Sequence, residues 1–142
     1  MTRTLFVVGL ALASLGFARR TSQPKPEPYR VAFDLTSRDS LDQKAVLRWI
    51  REISAASPQV EIEVVMYGKG FELAMPERSP FAGEVRDAMK NPRVAFKVCE
   101  IAMKNNQVEK SQLVPGVQTV PDGIYELVSK QQQHWGYIKV AH

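Results

Sequence analysis

The chain has a single cysteine, Cys99, and its setting is the first place to look for chemistry. It follows the apolar segment 93–98 and precedes a helical pattern over 100–106, so its sulfur is expected beside the first amides of a helix, a position that favours thiolate. Lys97, two residues back and on the same strand face, favours the anion, while Glu100 opposes it. Free cysteine is also among the most buried residue types and packs as a small hydrophobe. Three readings therefore stand: a buried, inert thiol, one paired with another molecule, or a reactive nucleophile.

Other candidates are weaker. Gly68-Lys69-Gly70 follows an apolar segment and is permissive backbone that would let an anion approach amides, or simply a turn. Ser37-Arg38-Asp39 lies where a helix should begin, and Arg38 offers a cation there. His134 and His142 are too few and too far apart for a metal site, no carboxylate pair has catalytic spacing, and no cofactor is implied.

The elements that must position these residues follow from periodicity. Apolar segments at 29–35, 60–67, 93–98, 117–120 and 137–140 read as strands. Between them, Ser40-Leu41-Asp42-Gln43 reads as a capping box opening a helix that Ser57-Pro58 ends. Ser79-Pro80 opens a second helix stopped by Asn91-Pro92, and helices are expected over 100–106 and 124–133. This alternation predicts an α/β fold with a mainly parallel sheet covered by helices on both faces. Such sheets gather ligand-facing loops at the carboxyl ends of their strands, which places Arg38, Gly68, Lys69, Gly70, Cys99 and Gly123 along one edge. Trp49 reads as core, and Trp135 as core or interface.

Ahead of this domain, residues 1–18 read as a signal peptide. Arg3 precedes an uncharged apolar run over 5–17, and Gly16-Phe17-Ala18 has the small-x-small pattern of a cleavage site. Thirteen residues fall short of the roughly 20 that a membrane-spanning helix needs. Arg19-Arg20 after the run leaves an uncleaved anchor as the alternative, and both readings place the domain outside the cytoplasm, periplasmic or secreted, with no stable membrane insertion once the signal is removed. No cysteine follows the run to carry a lipid. Residues 19–28, with prolines at 24, 26 and 28, read as a spacer, leaving 29–142 as one domain.

Composition excludes little, with one exception. The net charge is +4, and removing residues 1–18 takes away only Arg3 of the 19 basic residues, leaving 18 against 15 acidic. Basic residues are interleaved with acids, without the basic stripe that a phosphate backbone requires, so nucleic acid is not an expected partner. A mature chain this small has limited core for its surface, which favours a homo-oligomer, with Phe81 and the C-terminal strand as candidate contacts.

Several segments taken in order resemble a known family. Arg93-Val94-Ala95-Phe96-Lys97-Val98-Cys99, Ala102-Met103, Leu113-Val114-Pro115-Gly116-Val117, Val120-Pro121-Asp122-Gly123-Ile124, the helix at 126–132 and Trp135-Gly136-Tyr137-Ile138-Lys139 together are similar to the DsrE-like family of small sulfur-relay and related proteins. The resemblance spans residues 29–139. It implies a three-layer α/β/α fold with a five-stranded, mainly parallel sheet, assembled into homo-oligomers. It also implies that Cys99, at the position of the family's third-strand cysteine, takes up sulfane sulfur as a persulfide and passes it to a partner protein. That makes the chain a carrier more than a turnover enzyme, with Arg38 and the Gly68-Lys69-Gly70 loop expected to hold an anionic sulfur species. Two departures stand out. Relatives often have a Cys-Gly-Asn sequence where this chain has Cys99-Glu100-Ile101, and a glycine common before the last strand is replaced around His134-Trp135. The rival expectation is a non-catalytic, oligomeric small-ligand module in which Cys99 only packs.

Overall fold

Five strands and four α-helices alternate along the chain in a computed structural model that describes residues 28–141. The signal and most of the spacer expected at the N-terminus lie outside the described residues. The order is β1 (Arg30–Leu35), α1 (Ser40–Ala56), β2 (Glu61–Met66), α2 (Ala82–Ala88), β3 (Val94–Cys99), α3 (Glu100–Asn105), β4 (Gln118–Val120), α4 (Gly123–Gln132) and β5 (Gly136–Lys139). Two short 3-10 turns, Gly70–Ala74 and Lys110–Gln112, complete it.

The sheet is parallel throughout, in the order β4-β3-β2-β1-β5. Successive crossovers carry the chain from β1 outward to β4, and α4 then returns it across the sheet to place β5 on the far side of β1. A sheet whose strand order reverses next to its first strand has its crevice there, outside the carboxyl ends.

Alternation of side chains divides the sheet into two unequal faces. Val31, Phe33 and Leu35, with Ile62, Val64 and Met66 and with Val94, Phe96 and Val98, join one large apolar core with Val46, Leu47 and Ile50 of α1, Val85 of α2 and Met103 of α3. The opposite face carries Ala32 and Val65, covered by Leu127 of α4, and its apolar cluster is small. The expected three-layer α/β/α architecture is thus present with a lopsided core. Trp49 stacks on Phe33 at 5.9 Å between ring centres and is only partly buried.

Element starts differ from expectation for local reasons. Asp39, not Ser40, caps α1, its carboxylate accepting the Leu41 amide at 2.7 Å. Gln43 is buried and accepts the Ser79 hydroxyl instead of closing a capping box. Ser79 also accepts the Phe81 amide at 3.1 Å, holding Ser79-Pro80 as a turn, so α2 starts two residues later than Ser79 suggests.

Candidate functional site

Cys99 is the last residue of β3 and the cap position of α3, paired in register with Val120 of β4. It is 5% exposed, and its thiol makes no hydrogen bond among the described residues. Its thiol forms part of the floor of a cleft of about 270 Å³ whose walls include Tyr67, Gly68, Ile101, Ala102, Asp122 and Ile124.

The start of α4 is what presses on this thiol. Asp122 caps α4, accepting the Ile124 and Tyr125 amides at 2.9 and 3.3 Å, and this fixes Gly123 as the first helical residue. A Cβ on Gly123 would stand 3.1 Å from Cys99 Cβ and 3.4 Å from both Tyr67 Cβ and Val65 Cγ1. Glycine at 123 therefore serves a close approach of helix to thiol.

The loop after β2 behaves differently from the anion cradle expected of it. Gly68 does border the cleft, with φ of +59°. The amides of Lys69 and Gly70, however, donate to Thr36 O at 3.0 Å and Tyr67 O at 2.9 Å, so neither is offered to an anion. A Cβ on Gly70 would lie 2.0 Å from Leu35 O, which makes that glycine a packing requirement. Lys69 donates to the Asn106 carboxamide, whose Nδ2 donates in turn to Ala102 O, so the lysine buttresses the cleft wall. Arg38 is exposed before α1, makes no ion pair and does not border the cleft. Asp122 is the one charged residue among those that do.

Lys97 is likewise committed elsewhere. Its ammonium lies 2.8 Å from Glu63 Oε2 and 2.8 Å from Glu126 Oε1, and Lys130 reaches Glu63 Oε2 at 3.0 Å. Burial pushes the Glu63 carboxyl above its ordinary range, beyond what its two lysines recover. Burial acts on Lys97 and Glu126 too, but their mutual hydrogen bond and charge outweigh it, holding Lys97 up and Glu126 down. Glu100 has its carboxylate 2.8 Å from the Thr119 hydroxyl, tied to β4.

A second constellation at the same edge escapes sequence reasoning. Asp34, buried at the end of β1, accepts the Tyr137 hydroxyl at 2.6 Å and the Tyr67 hydroxyl at 3.2 Å on Oδ2, and Lys139 at 3.0 Å on Oδ1. Lys139 also donates to the Thr36 hydroxyl at 2.8 Å. Its bond to Asp34 pushes the Tyr137 phenol up to about 12, and burial with the same carboxylate raises Tyr67. The one available signal was Asp34 itself, a carboxylate inside an apolar strand segment; its partners come from the loop just after β2 and from β5. Tyr67 belongs to both groups, and so joins the Asp34 cluster to the Cys99 cleft. Among the described residues no cluster of His, Cys, Asp and Glu is arranged to hold a metal.

Solved structures share the fold. MTH1491 of Methanobacterium thermoautotrophicum, a protein of unknown function, superposes with a TM-score of 0.73 at 27% identity, covering 78% of this chain and 98% of its own. BT1422 of Bacteroides thetaiotaomicron, a conserved protein of unknown function, gives a TM-score of 0.63 at 13% identity over 78% of this chain and 94% of its own, a likeness of fold alone. No curated protein matches the sequence. The model of the DsrE/DsrF-like family matches residues 30–140, taking in all five strands, the cleft and the Asp34 cluster, and on that match this chain belongs to the DsrE/DsrF-like family.

Proposed function

We propose that this protein is a sulfur carrier that takes up sulfane sulfur on Cys99 and hands it to an acceptor thiol. The observation that carries the reading is the placement of an unbonded thiol on the floor of a cleft at the carboxyl edge of the sheet, where α/β folds bind their ligands. Membership of the DsrE/DsrF-like family, which suggests a sulfur-relay-related role, supports it. On sequence grounds we extend the proposal to export, directed by residues 1–18.

The chemistry needs no redox partner. The Cys99 thiolate attacks the outer sulfur of a donor persulfide R–S–SH, a new S–S bond forms at Cys99, and the donor's own S–S bond breaks with its electron pair leaving on RS⁻, which is reprotonated from solvent. An acceptor thiolate then attacks the terminal sulfur and restores Cys99. Capping Asp122 adds a carboxylate near the thiol, so Cys99 gains nucleophilic access here from the cleft and not from neighbouring cations.

The test is intact mass spectrometry of the protein after incubation with inorganic polysulfide. A gain of sulfur mass on wild type, reversed by a thiol reductant and absent in Cys99→Ala, is the expected result; no gain on wild type overturns the proposal.

A further inference from the structure

We propose that the Cys99 cleft selects its sulfur donor by charge: the R group of the persulfide is a short alkyl chain bearing an ammonium group, and donors with an anionic R group are turned away by Asp122. This names the donor class for the carrier reading and rests on that reading. Asp122 is the one charged residue bordering the cleft. Its Oδ1 takes both capping amides, those of Ile124 and Tyr125, and its Oδ2 accepts nothing among the described residues. A carboxylate oxygen left free in this way accepts an ammonium group and repels an anion.

The features that would draw an anion are already spent. Two helices begin at the cleft, and helix starts ordinarily attract negative charge. Here each holds a carboxylate of the chain's own: Asp122 at α4, and Glu100 in the first turn of α3, tied to the Thr119 hydroxyl at 2.8 Å. Nearby lysines are committed too. Lys69 donates to Asn106, Lys97 lies between Glu63 and Glu126, and Lys139 is held by Asp34. An anionic donor would therefore approach an uncompensated carboxylate and meet no cation among the residues that border the cleft.

The walls set the body of the donor. Ile101 and Ile124 border the cleft and are 50% and 60% exposed, with Ala102 beside them. Methylene groups cover apolar surface of this kind favourably, and a cleft of about 270 Å³ admits a few of them. Because thiol and carboxylate share the cleft, an ammonium on a short chain meets Asp122 while its persulfide lies on Cys99. The exchange itself is unchanged: the donor S–S bond breaks, the new one forms on Cys99, and the aminoalkyl thiolate leaves and takes a proton from solvent. Charge acts here on rate, so an anionic polysulfide in excess still loads the thiol.

The test offers the full chain the persulfides of three thiols of similar length, cysteamine, mercaptoethanol and mercaptoacetate, and follows the initial gain of sulfur mass, each rate divided by that of the same donor with a free thiol in solution. The ammonium donor should load wild type about tenfold faster than the carboxylate donor, with the hydroxyl donor between them and the gap narrowing as salt is added. Asp122→Asn keeps a capping oxygen but removes the charge, and should bring the two charged donors to within about twofold of each other. Equal rates in wild type, or a preference unmoved by Asp122→Asn, overturn the charge selection and leave the carrier reading intact. If no donor adds sulfur, the carrier reading fails and the selection is still read: methanethiosulfonates bearing trimethylammonium or sulfonate should label Cys99 with the same bias, and unbiased labelling overturns it. Should Asp122→Asn fail to fold, salt decides, and a preference undiminished at about 1 M salt overturns the role of Asp122.

Discussion

Gly123 and Cys99 touch where a helix start meets a strand end, and this contact makes the thiol sensitive to a single methyl group. Gly123→Ala would set a Cβ 3.1 Å from Cys99 Cβ at a residue whose backbone tolerates alanine, so the expected cost is about 1 kcal/mol in a denaturant titration, with slower labelling of the thiol. Cys99→Ala should lose about 1 kcal/mol by vacating a buried site, and Cys99→Ser at least as much because its hydroxyl finds no partner. If the carrier reading holds, both also abolish sulfur uptake; a variant that loses stability alone supports a packing role. Tyr137 offers a pH test. Its folded value of about 12 lies above the ordinary 10, so the contribution is fully present below pH 10 and is lost as pH rises toward 12. Ultraviolet titration should find the phenolate late in that window, and Asp34→Asn should bring it forward. Cys99 was legible in the sequence because a lone thiol at a strand end is a local pattern. Asp34, Tyr67, Tyr137 and Lys139 were not, because β1, the loop just after β2, and β5, distant in the chain, bring them together. Arg38 and Lys69 were misleading for the opposite reason: charge in a nearby loop says nothing about where the side chain is spent.

At the level of elements, α4 rests on the sheet by charge more than by apolar packing. Lys97→Met keeps the aliphatic stem but leaves Glu63 buried with Lys130 as its remaining close cation, and should cost about 2–4 kcal/mol by urea denaturation. A loss below about 1 kcal/mol would mean that water already reaches Glu63 and that the network is worth no more than surface pairs. The same feature shows why element types were readable and burial was not. Periodicity found the strands and α-helices, including α4, since spacing and caps are local. It could not tell which side of α4 faces the sheet, because the usual rule places Ile124 and Val128 inward and the structure places Glu126 and Lys130 there. The 3-10 turn Gly70–Ala74 went unseen because five residues held against Leu35 show no period.

For the whole molecule, export is checked by fractionating cells that make the full chain: protein shortened by about 18 residues should appear outside the cytoplasm, and Leu10→Arg with Leu12→Arg should retain it inside. Full-length protein found only in membranes would favour the uncleaved anchor. The placement of β5 beside β1 has a separate consequence, for the order in which the fold can be completed. Asp34 and Lys139 are 105 residues apart, so the contact that covers the outer edge of β1 closes last of all during synthesis. At roughly 5–20 residues per second, β1 waits on the order of ten seconds with one edge open, a template for pairing with other chains. Ending the chain after Gln133 makes that interval permanent. It removes β5 and, with Tyr137 and Lys139, two of the three groups that satisfy Asp34. Such a chain should collect in the insoluble fraction at concentrations where the complete one stays soluble, even though four strands, every helix and the thiol are still encoded.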